Sequence, residues 1–223
     1  MDYSQNLPKL SAEEIRVLGS LMEKSRTTPD YYPMTINSLT AACNQKSSRR
    51  PVVQYDDDTV VKALDSLKKK GLVSTATGGS SRAIKYKHNF AIVFPVIPAE
   101  VALICLLMLR GPQTPGELNT NSGRLYEFET LDDVQQALEK LSGGDVPFIT
   151  LLPRRIGQKE ARYMHLLGET LDIPEDDETD NGGSASPSQN NTITALEQRV
   201  SKLEEELSTM RQEFDKLMKE LLG

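Results

Sequence analysis

Lys85-Tyr86-Lys87-His88 recurs as Arg162-Tyr163-Met164-His165, and each stretch closes a segment with the same order of patterns. The chain has two histidines, and both fall at this matched place. The two segments open on Leu10-Ser11-Ala12-Glu13-Glu14 and on Ile97-Pro98-Ala99-Glu100-Val101. Self-similarity at a fixed spacing is the signature of a duplicated structural unit. The sequence therefore predicts two copies of one small domain.

Each copy contains three helical patterns followed by two strand-like runs. Ser11 and Glu14 form a capping box before the first helix. Two further helices of the first copy are predicted over 36–43 and 57–70. The other predicted elements are helices over 99–109, from 115 and over 131–141, and strands over 72–74, 83–88, 148–152 and 161–166. Three helices and a hairpin are typical of the winged helix, a variant of helix-turn-helix, so the predicted class is mainly α with small β-hairpin wings (α+β).

The composition divides the chain into five parts. They are a flexible N-terminal tail (1–9), two tandem winged-helix domains (10–90 and 91–171), a disordered acidic linker (172–191) and a coiled-coil helix (192–222). The last part is predicted from apolar residues spaced alternately three and four apart, as in a coiled-coil seam. The seam residues are Ile193, Leu196, Val200, Leu203, Leu207, Met210, Phe214, Leu217 and Leu221.

The charges beside this seam favour a parallel homodimer. With Ile193 at heptad position a, a parallel pair places Arg199 opposite Glu204 and Glu206 opposite Arg211. An antiparallel pair centred on this region would instead oppose like charges. A single amphipathic helix that packs on its own domain is the alternative.

Charge is unevenly distributed along the chain, whose net charge is −6. Residues 1–90 carry 14 Lys and Arg against 9 Asp and Glu, whereas residues 91–172 carry 7 against 11. The N-terminus lacks the pattern of a signal peptide, and the longest apolar run, Val101 to Leu109, is too short for a membrane span. We therefore expect a cytoplasmic protein with no membrane contact, in which Cys43 and Cys105 are buried, reduced thiols.

The sequence offers little that an enzyme would need. It contains no Gly-rich phosphate loop, no metal-spaced Cys/His cluster and no nucleophile motif. His88 and His165 occupy equivalent places in two scaffold copies, which favours structural hydrogen bonds over acid–base chemistry. We predict no catalytic residue, no metal and no cofactor.

Binding of duplex DNA is the leading functional prediction. Winged helices often place the third helix in the major groove and the wing nearby. The residues predicted to contact DNA lie in the loop before the third helix and on the first wing: Lys46, Ser47, Arg49, Arg50, Arg82, Lys85 and Lys87. The run Asp56-Asp57-Asp58 opposes insertion of the helix N-terminus, so we expect these acids to cap the helix. Tyr31 and Tyr32 are predicted to pack in the core.

A protein-interaction adaptor without DNA contact is the alternative function. The acidic second copy and an aromatic segment favour it. The candidate partner surface consists of Arg124, Leu125, Tyr126 and Phe128. These apolar side chains could equally close the core of the second copy.

Several long words in the sequence resemble those of the YceH-like bacterial proteins. They include Thr28-Pro29-Asp30-Tyr31-Tyr32-Pro33, the run from Asn37 to Ser47, and the run from Arg110 to Leu118. Arg124-Leu125-Tyr126-Glu127-Phe128 and both Tyr-x-His endings complete the resemblance, which covers about residues 7–170. It implies a tandem winged-helix fold in a bacterial protein, and it implies no function.

Overall fold

The computed structural model describes residues 6–76, 83–144, 146–154 and 160–168. The chain divides between Ile173 and Pro174, and every described residue lies on the N-terminal side. The predicted linker over 172–191 and the predicted coiled-coil helix over 192–222, with its seam, lie outside the described residues. None of the helices in the described part of the chain is long and apolar enough to cross a membrane.

Secondary structure follows the same order in both copies. The helices are α1 (Ala12–Thr27), α2 (Ile36–Cys43), α3 (Asp57–Lys69), α4 (Phe90–Val93), α5 (Pro98–Arg110), α6 (Pro115–Ser122) and α7 (Leu131–Ser142). The strands are β1 (Val73–Ala76), β2 (Lys85–His88), β3 (Ile149–Leu151) and β4 (Tyr163–His165). The predicted α+β class is confirmed, and the predicted helices begin and end within about two residues of the observed ones. A 3-10 turn (Pro29–Tyr31) and the short α4 were not predicted.

Side-chain caps explain where the helices begin. The Ser11 hydroxyl accepts from the Glu14 N–H at 3.3 Å, and the Ser11 N–H donates to Glu14 Oε2 at 2.8 Å. This is the predicted capping box, which satisfies two donors that the first turn of a helix leaves without partners. Thr114 and Glu117 repeat the arrangement at α6.

Each hairpin gains a third backbone partner from the segment before the second helix of its copy. β1 pairs antiparallel with β2, and Met34 bridges to Tyr86 through N–H···O bonds of 3.0 and 2.7 Å. β3 pairs with β4, and Gln113 bridges to Tyr163 through bonds of 3.1 and 2.8 Å. The tyrosine of each Tyr-x-His ending therefore ties its hairpin to the segment before the second helix of its copy.

The two copies, divided in the sequence at the predicted boundary 90/91, share one continuous apolar core. Their first helices, α1 and α5, pack against each other, and Leu18, Leu21, Leu103 and Leu107 are fully buried there. Leu10, before α1, donates its N–H to the Leu167 carbonyl at 2.8 Å, which joins the start of the first copy to the end of the second.

The predicted burial of both thiols is confirmed. Cys43 and Cys105 are free and buried, and Cys105 Sγ lies 3.4 Å from the Gly19 carbonyl oxygen across the contact between α1 and α5. Burial raises the pKa of both thiols, which keeps them protonated. Neither thiol is available as a nucleophile in this state.

Gly19 lies where α1 packs tightly against Leu109 of α5. A Cβ built at this position would lie 2.9 Å from Leu109 Cδ2 and 3.1 Å from Leu109 Cγ, inside contact distance. We expect Gly19→Val to lower the free energy of unfolding by about 1–3 kcal/mol, because its methyl groups overpack this helix contact. Urea unfolding measures the change.

Gly116 supplies the matched control for this substitution. It also lies in a helix, but the nearest atom to its added Cβ would be Thr114 Oγ1 at 4.0 Å. Gly116→Val is therefore expected to change stability by less than about 0.5 kcal/mol. Equal losses of unfolding free energy in Gly19→Val and Gly116→Val would show that α1 and α5 can move apart to accommodate the valine without destabilising the protein.

Candidate nucleic-acid interface

The segment between α2 and α3 is fixed at both ends and against both copies. The Asn44 side chain brackets Tyr55, donating to its carbonyl and accepting from its N–H, each at 2.8 Å. The Arg50 N–H donates to the Leu109 carbonyl of α5 at 2.8 Å. Arg16 of α1 donates from Nη2 to the Pro51 carbonyl at 2.5 Å. We call residues 45–51 the basic loop, and these contacts hold it across the junction of the copies.

Arg49 does not face solvent, so its predicted contact with DNA is wrong. Its side chain is 0% exposed, and its guanidinium forms a bidentate pair with Glu23 of α1 at 2.6 and 3.0 Å. The same group donates to the Ala42 carbonyl at the end of α2. Burial alone would raise the pKa of Glu23, but the hydrogen bonds and charge of Arg49 lower it below its usual value. Arg49 therefore anchors the basic loop.

The other predicted side chains of the basic loop are exposed. Lys46, Ser47 and Arg50 face solvent on either side of buried Arg49. Lys24 of α1 joins them, because its Nζ lies 3.3 Å from Gln45 Oε1 and 3.1 Å from Glu23 Oε2. Exposed Lys46 and Arg50 supply cations of the kind that neutralise a phosphate backbone, whereas the Lys24 side chain is 15% exposed and paired with Glu23.

Arg110, at the end of α5, was not predicted and lies against the basic loop. Its Nη2 donates to Ser48 Oγ at 2.8 Å, and its Nη1 donates to Asn121 Oδ1 at 2.7 Å. Burial lowers the pKa of Arg110 from its ordinary value, although the group stays charged at neutral pH. Arg110 thus brings a charge from the second copy to a loop of the first.

The contacts around the basic loop bring together more cations than acids. The cations are Arg16, Lys24, Lys46, Arg49, Arg50 and Arg110. In the described part of the chain, Glu23 is the carboxylate paired with this group. The excess of positive charge creates a local field that attracts anions, even though the whole chain is acidic.

The first hairpin, predicted to be a wing, contributes a separate pair of cations. The register of β1 and β2 opposes Lys87 to Ser74 and Lys85 to Ala76, so both lysines project from the same face of the hairpin. Lys87 is exposed and Lys85 is half-buried. No hydrogen bond or ion pair between described residues joins them to the basic loop. Arg82 lies outside the described residues.

Of the three aspartates predicted to cap α3, Asp56 is the N-cap, and Asp57 and Asp58 lie in the first turn of the helix. Asp56 accepts from the Thr59 N–H at 2.8 Å as the N-cap, and this hydrogen bonding lowers its pKa. Asp57 accepts from the Thr40 hydroxyl at 2.6 Å and so ties α3 to α2. Asp58 remains exposed at the first turn of α3. Negative charge at this end of α3 repels a phosphate backbone, so the third helix is poorly suited to insert its N-terminus.

His88 holds the first hairpin to α1, which confirms its predicted structural role. Nδ1 accepts from the Phe90 N–H at 3.3 Å, so the neutral ring carries its proton on Nε2, which lies 3.2 Å from Ser25 Oγ. The His88 N–H donates to the Tyr32 hydroxyl at 2.7 Å. His165 is buried, and its Nδ1 has no hydrogen-bond partner among the described residues.

The predicted aromatic positions divide between core and surface. Tyr32 packs against the core as predicted, and burial raises its pKa to about 12. The prediction that Tyr31 packs in the core is wrong, because its side chain is 79% exposed. In the second copy, Leu125 and Phe128 pack against the core. Arg124 and Tyr126 are exposed, and the Tyr126 ring meets the Phe128 ring edge-on at 4.8 Å.

The fold and site define a class: an α+β protein built from a duplicated unit of three helices and a hairpin, with a cationic loop fixed between the copies. Residues 10–158 match the family described as "Protein of unknown function, DUF480". The chain belongs to this family, which confirms the predicted membership of a bacterial family without an assigned function.

Bacterial relatives extend along most of the chain. It is 50% identical over 168 residues to a UPF0502 protein of Opitutus terrae, covering 75% of this chain and 73% of that one. It is 43% identical over 219 residues to a UPF0502 protein of Shewanella sp. strain W3-18-1, covering 96% and 99%. A UPF0502 protein of Solibacter usitatus is 42% identical over 207 residues, covering 93% and 95%.

Proposed function

We propose that the chain is a non-enzymatic, tandem winged-helix protein that binds duplex DNA and regulates its use. The carrying observation is the excess of cations on and around the basic loop, where six cations, of which Arg16 and Arg49 are buried, meet one paired carboxylate. Phosphate contacts of this kind supply most of the affinity of non-specific binding and fix the register of specific binding.

The winged-helix interpretation is supported by the single-residue bridges. Met34 and Gln113 lie at equivalent places, between the first and second helices of each copy, and each extends its hairpin by one partner. Winged-helix proteins have the same chain order: a helix, a short strand, two helices and a hairpin. On this proposal the basic loop leads into the recognition helix, α3.

Contact occurs through the basic loop and the wing, because acids occupy the start of α3. Lys46, Arg50 and Lys87 are exposed and contact phosphates, and Lys85 lies beside Lys87 on the wing. Base readout by α3 is slight, so sequence specificity is modest. A parallel homodimer through the heptad segment would present two basic loops and raise the apparent affinity.

Removal of charge from the basic loop is expected to weaken DNA binding. A fluorescent 20-base-pair duplex is titrated at several salt concentrations with wild type and with Lys46→Gln/Arg50→Gln. Each lost phosphate contact reduces the slope of log affinity against log salt by about 0.9, so a decrease of about 2 is expected.

Light scattering on the full-length protein gives the mass, which is expected to be that of a dimer.

Two matched variants locate the interface. Lys85→Gln/Lys87→Gln removes the same charge from the wing and is expected to weaken binding similarly. Arg124→Gln/Arg154→Gln removes two positive charges from exposed positions of the second copy. This variant is expected to bind DNA within about twofold of wild type, because only long-range, screened electrostatic attraction is lost. Absence of binding by wild type near 50 mM salt, or equal losses in all three variants, would refute the proposal.

A protein-interaction adaptor without DNA contact is the second candidate. It is favoured by exposed Tyr126 and by Leu131, which is 42% exposed at the start of α7. Aromatic and aliphatic side chains at such positions anchor protein partners. Failure of the DNA titration together with retained solubility and fold would favour this candidate.

A further inference from the structure

Arg110 is a half-buried cation whose hydrogen-bond partners are both neutral. Its guanidinium contacts the Ser48 hydroxyl and the Asn121 amide oxygen, and it forms no ion pair with a carboxylate in the described part of the chain. The other three N–H donors make no hydrogen bond to a described residue. The burial of this charge is costly and is offset only in part by the more distant charge of Glu23, so the unused donors suit an anion from outside.

The guanidinium is held in a fixed position. Asn121 receives one hydrogen bond from Arg110 and donates another from Nδ2 to Gln113 Oε1 at 2.9 Å. Gln113 is buried and donates in turn to the Leu106 carbonyl of α5 at 3.2 Å. This chain of hydrogen bonds orients the planar fork before any ligand arrives, which reduces the entropy lost on binding.

Ser48 is held against this fork by an uncommon backbone conformation. Its φ is +59°, in the left-handed region that a serine rarely adopts. Its hydroxyl accepts from Arg110, and its carbonyl accepts from Arg49 Nη1 at 2.9 Å, so both arginines hold this residue in place. Ser48 is exposed, and its neighbours in the basic loop include Lys46 and Arg50.

We propose that Arg110 and Ser48 form an oxyanion site that takes one phosphate group. Arginine forks suit phosphate because two N–H groups can reach two oxygens at once, and a serine hydroxyl can donate to a third. The origin of this phosphate rests on the proposed function. In a DNA complex the phosphate belongs to the DNA backbone, and the second copy then contacts DNA beside the basic loop of the first copy. The same chemistry would accept free inorganic phosphate.

Arg110→Gln tests the site, because glutamine removes the charge and keeps an amide donor for Ser48. In the duplex titration the variant is expected to bind on the order of tenfold more weakly. Its salt slope is expected to be smaller by about 0.9, the value for one lost phosphate. Arg124→Gln, an exposed arginine of the same copy, is the matched control and should bind as wild type. Ser48→Ala provides a second variant with no loss of charge and a smaller expected effect.

A second measurement separates failure of the site from failure of DNA binding. Inorganic phosphate is titrated at constant ionic strength, and the Arg110 Nε–H resonance is followed by NMR. A saturable shift that Ser48→Ala weakens is expected. DNA binding by Arg110→Gln that equals wild type would overturn the site and leave the proposed function standing. No DNA binding by wild type, with the phosphate shift present, would refute the function and assign the site to free phosphate. Absence of the phosphate shift as well would overturn both.

Discussion

Lowering the pH from 7 to 4.5 is expected to remove about 5 kcal/mol from the free energy of unfolding, through two buried histidines. Burial lowers the pKa of His88 to about 4, with a further decrease from the charge of Arg26, and burial lowers the pKa of His165 to about 4. In the unfolded chain both groups titrate near 6.5. Between these values the unfolded state binds protons that the folded state does not.

The sign of the effect follows from this difference in bound protons. Stability rises with pH wherever the unfolded state binds more protons, so the contribution of each histidine is present above pH 6.5 and is lost as the pH falls toward 4. By pH 4.5 each histidine costs about 2–3 kcal/mol, at 1.36 kcal/mol per pKa unit. Together they are a large part of the roughly 5–15 kcal/mol available to a domain.

Urea unfolding at pH 7, 6, 5.5, 5 and 4.5 measures this loss. His88→Gln and His165→Gln are each expected to remove about half of the pH dependence, whatever they do to stability at pH 7. Glu14 and Glu23 lose their stabilising ion pairs only below about pH 4.5, because their pKa values are lowered from 4.5. A pH dependence that persists unchanged in the double variant His88→Gln/His165→Gln would show that other groups cause it.

The sequence was most informative where local chemistry determines structure. Ser11 and Glu14 predicted the start of α1 because a capping box acts within four residues. The recurrence of Tyr-x-His predicted the duplication because it repeats at one place in each copy. Met34 and Gln113 were missed as strand residues, since a single-residue bridge has no alternating pattern to detect.

The candidate site was predicted only in part, because burial of a charged side chain depends on distant elements. Arg49 and Arg50 are neighbours with the same chemistry, yet Arg49 meets Glu23, which lies 26 positions earlier in the chain. Arg110 was missed because a cation in the last turn of a helix ordinarily indicates only a favourable dipole interaction. Its contact with Ser48 joins residues 62 positions apart, and no local pattern predicts such a pair.

Arg49→Ala is expected to destabilise the protein by about 3–5 kcal/mol, whereas Arg50→Ala is expected to change stability by less than about 0.5 kcal/mol. Removal of Arg49 leaves the Glu23 carboxylate, whose side chain is 13% exposed, with Lys24 alone as its cationic partner. It also leaves the Ala42 carbonyl at the end of α2 without the Arg49 donors and removes one of the contacts that hold the basic loop to α1. Urea unfolding of the three proteins at pH 7 compares these effects.

The two neighbouring substitutions should separate stability from binding. Arg50→Ala is expected to weaken DNA binding without loss of stability, because its side chain is exposed and its hydrogen bond to a described residue is made by the backbone N–H. Replacement of the whole buried pair, as Glu23→Met/Arg49→Met, should recover part of the stability lost in Arg49→Ala, because neither charge then remains alone. If Arg49→Ala were as stable as wild type, the pair with Glu23 would not anchor the loop. The fixed geometry on which Ser48 and Arg110 depend would then need another cause.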